Sequence, residues 1–259
     1  MRLEIHFNLE EPISIPIQYN HIIQAIIYSW IGDEKFKDFI HNKGYKFEER
    51  AYKLFTFSKI NGRFQLDKNN RKIIFYEDMR ITISSAVDEF MEYLLNSVLI
   101  ENNPMNIGGA DVEISKVEVK ITPDLFKKTQ VYTLSPVTAY STLENKQTKF
   151  YNPFDMEFSQ YIRSNLLHKY EAYHGKQPEN ADFIIKSIGA VKEARVNYKG
   201  FHIRAYNCEF EMEGSEELLK MAYDAGIGGK GSQGFGCIEV KKRRWFKICY
   251  MMFTEQEKL

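Results

Sequence analysis

Gly226-Ile227-Gly228-Gly229-Lys230-Gly231-Ser232-Gln233-Gly234-Phe235-Gly236 gathers six of the chain's 15 glycines into eleven residues. Before it, Ser215-Glu216-Glu217 opens an acidic first turn, and Leu218, Leu219, Met221 and Ala222 continue as an amphipathic helix. After it, Cys237-Ile238-Glu239-Val240-Lys241 alternates as a half-buried strand does. The order is helix, glycine loop, strand. Gly226–Gly231 spells G-x-G-x-x-G, but the dinucleotide fingerprint needs the strand first and the helix second. A Walker A reading fails too, because Gly231 follows Lys230 where a Ser or Thr would hold magnesium. A loose surface turn is the bland reading. Against it, so many glycines raise the unfolded chain's entropy, which points to positive φ or to close backbone approach. With Lys230, Ser232 and Gln233 among them, exposed N–H groups of this loop are expected to line an anion site.

Composition narrows the class without naming it. The 259 residues are 44% hydrophobic, enough to fill two cores. Lys+Arg and Asp+Glu are 35 each, so polyanion binding must come from a local patch; Lys127-Lys128 and Lys241-Lys242-Arg243-Arg244 are the candidate runs. Aromatic content of 14% serves cores and base-stacking platforms alike. Cys208, Cys237 and Cys249 are widely spaced, which argues against a zinc site or a disulfide framework and fits a reducing cytoplasm. No signal peptide or membrane-length apolar run is read, so a cytoplasmic protein is expected.

Working outward, residues 2–8 alternate as a strand and 10–16 read as a loop. A helix runs from Asn20, read as an N-cap, to about Trp30; a second short helix carries Phe36, Phe39 and Ile40 and stops near Gly44. Strands follow at 52–60, 63–66, 71–76 and 79–84, then a helix over 86–101 and a strand over 112–119. Pro123-Asp124 reads as the linker. Beyond it come a strand at 131–134, an extended stretch at 146–151, a helix over 155–174, strands from 183 and over 201–212, and then the helix, loop and strand quoted above. Both halves give β-α-β-β-α-β, the split β-α-β order of ferredoxin-like and RNA-recognition modules. The expected fold is α+β: two tandem ferredoxin-like domains, 1–122 with the catalytic candidates and 123–259 with the glycine loop. The aromatic signature of RNA-recognition motifs is absent. The tail 245–259 extends past the last strand, where it covers an edge, packs as a helix or makes a homodimer contact.

Chemistry-bearing motifs are few: no H-E-x-x-H, no G-x-S-x-G elbow and no aspartate cluster for two-metal catalysis. No metal or cofactor is expected. On the helix over 21–30, Ile22, Ile23, Ile26, Ile27 and Trp30 share one side, with His21, Gln24 and Tyr28 opposite. His41 ends the next helix, where the dipole favours an imidazolium suited to proton donation, although a helix-capping histidine fits equally. Lys53 shares strand parity with Phe55 and Phe57, a placement that plain snorkelling also explains.

Taken together, Tyr19-Asn20-His21, Ile27-Tyr28, Ile40-His41, Lys53-Leu54-Phe55-Thr56-Phe57-Ser58, Thr133-Leu134-Ser135-Pro136 and Leu218-Leu219-Lys220 through Gly236 resemble the Cas6 family of CRISPR-associated endoribonucleases. The resemblance spans nearly the whole chain and implies tandem ferredoxin-like domains. It further implies cleavage of precursor CRISPR RNA within its repeats, with His41, Tyr28 and Lys53 as the active-site trio. The interval from His41 to Lys53 is longer than the family's, which leaves Lys43 and Lys46 as alternatives to Lys53. The implied reaction is metal-independent attack by the RNA's 2′-hydroxyl, giving a 2′,3′-cyclic phosphate (or 3′-phosphate) and a 5′-hydroxyl. Tyr28 or His41 would help deprotonate the nucleophile, His41 would protonate the leaving oxygen, and Lys53 would steady the phosphate charge. Gly226, Gly228, Gly229, Lys230, Gly231, Ser232, Gln233, Gly234, Phe235 and Gly236 would hold the RNA backbone. Repeat RNA is the implied partner, with other Cas subunits of an interference complex beside it. The competing readings are an inactive subunit of the same fold that holds guide RNA, a regulatory domain whose loop takes a small phosphate ligand, and, disfavoured, a metal-dependent nuclease.

Overall fold

The computed structural model describes residues 1–100, 105–123, 125 and 127–241; the expected linker residue Asp124 and the tail 245–259 lie outside them. The first half contains β1 (Arg2–Asn8), α1 (Asn20–Ser29), β2 (Phe55–Phe57), β3 (Met79–Ser85), α2 (Asp88–Ile100) and β4 (Ala110–Lys120). Their sheet runs β2-β3-β1-β4 with antiparallel neighbours, and Met105–Ile107 is added beyond β4. The second half contains β5 (Lys128–Thr133), α3 (Met156–His174), β6 (Phe183–Tyr198), β7 (Phe201–Gly214), α4 (Glu216–Ala225) and β8 (Ile238–Val240), in a sheet ordered β6-β7-β5-β8. The two orders are the same, so the tandem ferredoxin-like expectation holds at the level of topology as well as element order.

Alternation explains the strands. In β1, Leu3, Ile5 and Phe7 are buried while Glu4 and His6 stay partly exposed. The helix before the glycine loop starts as expected, with the Ser215 hydroxyl accepting from the N–H of Leu218. Three local readings are corrected. The expected loop at 10–16 contains a strand, Ile13–Pro16, paired with Lys72–Phe75; Ile13 and Ile15 alternate inward, and Pro16 sits at the strand's end, where its missing N–H does least harm. Asn20 is not the N-cap: Tyr19 occupies that position, and the Asn20 amide works elsewhere. The expected strand at 52–60 is cut to Phe55–Phe57, because Leu54 takes φ 56. A hairpin of Tyr45–Phe47 and Arg50–Tyr52 precedes it, so the parity argument for Lys53 fails.

The main apolar core runs through both halves, with a smaller separate cluster of Tyr198, Ile203, Ala205 and Phe235 in the second. At the rim of the main core lies Arg2, a charged side chain with no exposure at all. Its guanidinium donates to the carbonyls of Ile238 and Tyr223, each at 2.8 Å, pairs with Glu239 at 3.2 Å, and stacks 3.7 Å over the Tyr223 ring. A planar fork is needed for that set of partners. Arg2→Ala strands two buried carbonyls and Glu239, and is expected to lower the unfolding free energy by about 3 kcal/mol in urea melts. Arg2→Lys should recover less than half of it; a loss near zero for Arg2→Ala would mean that the halves are held together without this side chain.

Candidate functional site

The glycine loop folds back on itself and is gripped from both halves. Ile227 N–H donates to Gly236 O and Gly229 N–H to Thr138 O, both at 2.9 Å. From the first half, Asn20 Nδ2 donates to Gln233 O (2.8 Å), Gln24 Nε2 to Ser232 O (2.6 Å) and Thr56 Oγ1 to Phe235 O (2.8 Å). The Tyr28 hydroxyl lies beside Ser232, whose side chain acts against the rise in the phenol pKa. Gly226, Gly228, Gly234 and Gly236 all have φ between 74 and 81. The close-approach expectation is therefore met, but the picture of a generally exposed loop is corrected, since residues 226–229 and 234–236 are buried. Only Lys230–Gln233 surfaces, and among the described residues nothing accepts from the N–H groups of Lys230, Gly231 or Ser232.

These residues line a cleft of ≈ 480 Å³ between the halves. Its described lining carries Arg50, Lys53, Lys169 and Lys230 and contains no carboxylate. Tyr52, Tyr140 and Tyr161 supply aromatic walls, with Lys230 Nζ 5.1 Å from the centre of the Tyr140 ring. In an overall neutral chain this is a concentrated site for a polyanion. A separate trio, Glu4, His6 and Glu118, has ligand atoms close enough to share a cation, but Lys120 and Lys116 already pair with its carboxylates.

Of the expected trio, Tyr28 and His41 meet: their rings lie edge to face with centroids 4.9 Å apart. Tyr28, placed by periodicity on the side of α1 opposite the isoleucines, is buried there, because the Phe55 ring lies 5.8 Å from its own and the loop covers that side. Burial pushes its phenol pKa up, with Tyr198 adding to the effect, so the hydroxyl stays protonated near neutrality. His41 is exposed in a π-helical turn, Phe39–Lys43. Asp38 accepts from Asn42 Nδ2 at 2.6 Å, which turns the Asn42 oxygen to within 2.8 Å of His41 Nδ1. An amide oxygen only accepts, so Nδ1 carries a hydrogen and Nε2 is the ring nitrogen left for other work. Lys53 is half-buried and lines the cleft; a Cβ placed on Gly44 would lie 3.2 Å from its Nζ, so the ammonium rests against the turn that ends the His41 segment. Burial lowers its pKa. Lys43 and Lys46 are exposed and do not line the cleft.

Sequence reading missed Gln24, Thr56 and Lys169. Gln24 precedes Tyr28 by one helical turn, which placed it on the right side of α1. Lys169 follows Ile162 and Leu166 along the buried stripe of α3, and a charge on that stripe was the signal.

Two ferredoxin-like domains, with a glycine-rich loop of the second locked onto the first helix and strand of the other, define the class. Residues 14–118 match the family described as CRISPR-associated protein Cas6, N-terminal, and residues 116–240 match CRISPR associated protein Cas6, C-terminal. The chain belongs to the Cas6 family. It is 26% identical over 248 residues to a CRISPR-associated endoribonuclease Cas6 of Pyrococcus furiosus, covering 95% of this chain and 89% of that one. To CRISPR-associated endoribonuclease Cas6 2 of Methanocaldococcus jannaschii it is 28% identical over 258 residues, covering 92% and 98%. The solved structure of a Cas6-related gene product from Pyrococcus furiosus superposes with a TM-score of 0.81 at 24% identity, covering 94% and 99%. Among the described residues, no helix is long and apolar enough to cross a membrane.

The loop's tightness is testable. Gly228 has φ 78, and a Cβ there would approach Thr138 O to 2.5 Å, whereas Gly32 has open space around the same position. Gly228→Ala is expected to cost at least about 2 kcal/mol and Gly32→Ala less than about 0.5 kcal/mol by denaturant melts. Equal effects would show that the loop is more plastic than its contacts imply.

Proposed function

We propose that this chain is an endoribonuclease that cuts precursor CRISPR RNA within its repeats, without a metal, by attack of the 2′-hydroxyl on the neighbouring phosphate. The observation that carries this reading is the edge-to-face packing of Tyr28, at the glycine loop, against His41, an exposed imidazole whose Nδ1 is taken by Asn42 and whose Nε2 is left free. The relatives named endoribonucleases support the reaction class. A described lining that carries Arg50, Lys53 and Lys230 and no carboxylate suits a phosphodiester and offers a divalent ion no anionic ligand.

In this reading the strand lies along the cleft with its scissile phosphate between Lys53 and the N–H groups of Lys230–Ser232. His41 is the proton-transfer group: its Nε2 takes the 2′-hydroxyl proton or, as imidazolium, gives one to the departing 5′-oxygen. Tyr28, kept protonated by burial, serves as a hydrogen-bond donor and brace for Ser232 and not as the base. Lys53, partly desolvated and close to the reacting region, stabilises charge that builds on the non-bridging oxygens. The O2′–P bond forms as the P–O5′ bond breaks, leaving a 2′,3′-cyclic phosphate and a 5′-hydroxyl. Holding nucleophile and leaving group in line supplies what the proton transfers do not.

Single-turnover cleavage of end-labelled repeat RNA in excess EDTA tests the reading. Wild type should cut, deoxyribose at the cut position should abolish cutting, and His41→Ala should slow it by about 10²–10⁴-fold with binding retained. Cutting by His41→Ala at the wild-type rate, or cutting of the deoxy substrate, would remove this mechanism.

A further inference from the structure

Lys169 has no place in that mechanism, yet it is the least ordinary lysine of the described chain. It sits on α3 with 5% exposure. Its ammonium donates to three carbonyls, those of Ala225 (3.3 Å), Gly226 (2.7 Å) and Gly228 (3.2 Å), and among the described residues no carboxylate pairs with it. Asn165, one turn earlier, adds a buried side-chain oxygen without a hydrogen-bond partner to the same wall. An uncompensated buried ammonium is expensive. Burial pulls its pKa down to about 7. Such a group persists where its surroundings are rich in acceptors, and two features make them so: the carbonyl end of α4, which carries the negative pole of that helix, and the glycine turn that follows.

The three carbonyls belong to three peptide planes, and two of those planes are also held at their other end. Gly226 O and Ile227 N–H belong to one trans peptide, and that N–H donates to Gly236 O. Gly228 O and Gly229 N–H belong to another, whose N–H donates to Thr138 O. Fixing both ends of these planes leaves a chain with little side-chain packing of its own only one way to leave α4. It then arrives at Lys230 in the left-handed region, φ 61, and Lys230, Gly231 and Ser232 line the cleft.

We propose that Lys169 is a positioning residue for RNA binding: an internal counter-cation that pins the start of the glycine loop and cancels the helix-end negative potential beneath the bound phosphates. The RNA half of this proposal rests on the function proposed above; the pinning half does not. Lysine suits the role because a compact ammonium on a flexible stem reaches three acceptors at once.

Two variants test it. Lys169→Met keeps the shape and removes donor and charge; Lys169→Gln keeps a neutral donor and covers the case in which the methionine variant does not fold. The first readout needs no RNA. Hydrogen–deuterium exchange of residues 226–236 should accelerate by about tenfold or more in the variants, while the peptides of β1 and β3 exchange at their wild-type rates. Unchanged exchange in 226–236 of a folded variant overturns the pinning. The second readout is Kd for repeat RNA carrying deoxyribose at the cut position, together with the single-turnover rate at saturating RNA. Kd should rise by at least about tenfold, as expected for a lost charge-assisted contact network, while the saturated rate stays within about threefold of wild type. Unaltered Kd, or a rate lost at saturation with Kd preserved, overturns the positioning role. Failure of the function proposed above shows differently: wild type itself then neither binds nor cuts the RNA, and the exchange result still decides whether Lys169 pins the loop.

Discussion

Backbone carbonyls of one loop are the point on which both domains depend. Asn20 and Gln24 of α1, Thr56 of β2 and Lys169 of α3 all donate to carbonyls between Ala225 and Phe235. A trans peptide points its N–H opposite to its carbonyl, so pulling carbonyls inward sets where the N–H groups go. Those of Ile227 and Gly229 are used within the protein, at Gly236 and Thr138; Lys230, Gly231 and Ser232, whose N–H groups find no acceptor among the described residues, line the cleft. Glycine is required for the approach at Gly226, where a Cβ would press to 2.9 Å from Thr56. Interdomain packing and the chemistry of the cleft are thus one problem with one solution. The same contacts that hold the halves together orient the surface that meets the ligand.

Much of this fold was legible because its sheets alternate cleanly and its helices carry marked ends. The β-α-β-β-α-β order could be read twice, and the topology of both sheets followed from it. What escaped was non-local or backbone-conformational. Ile13–Pro16 is too short to announce itself, and it becomes a strand only because Lys72–Phe75 lies beside it. Leu54 in the left-handed region is invisible to propensity, since a leucine there is held by its surroundings and not by its own preference. Asn20 was read by the local rule for helix starts, but its amide is committed to Gln233, more than two hundred residues away along the chain.

The site was legible in its parts and not in its assembly. Periodicity put Gln24 and Tyr28 on one side of α1, away from the isoleucines, but carries no information on what that side meets. A helix wedged between two domains has two buried faces, one apolar against its own sheet and one polar against the partner's backbone. Tyr28 belongs to the second, where its ring contacts His41 and Phe55 and its hydroxyl meets Ser232. Lys169 shows the same rule from the other domain: a charge on a buried stripe marks an acceptor-rich surface opposite, here the end of α4.

Electrostatics then reconciles a neutral chain with the polyanionic ligand proposed for it. Some surface cations elsewhere are paired: Lys128 with Glu211, Lys241 with Glu209 and Lys120 with Glu4. Of the two basic runs that drew attention in the sequence, Lys128 and Lys241 are spent in this way. In the cleft the balance is different, because glycines bring a helix end and its carbonyls close without bringing carboxylates, and the lysine beneath neutralises those carbonyls internally. Arg50, Lys53 and Lys230 are then left as cations of the cleft lining. Counting charge along the sequence could not find this site, since its positive character comes from where acids are absent and not from where bases are dense.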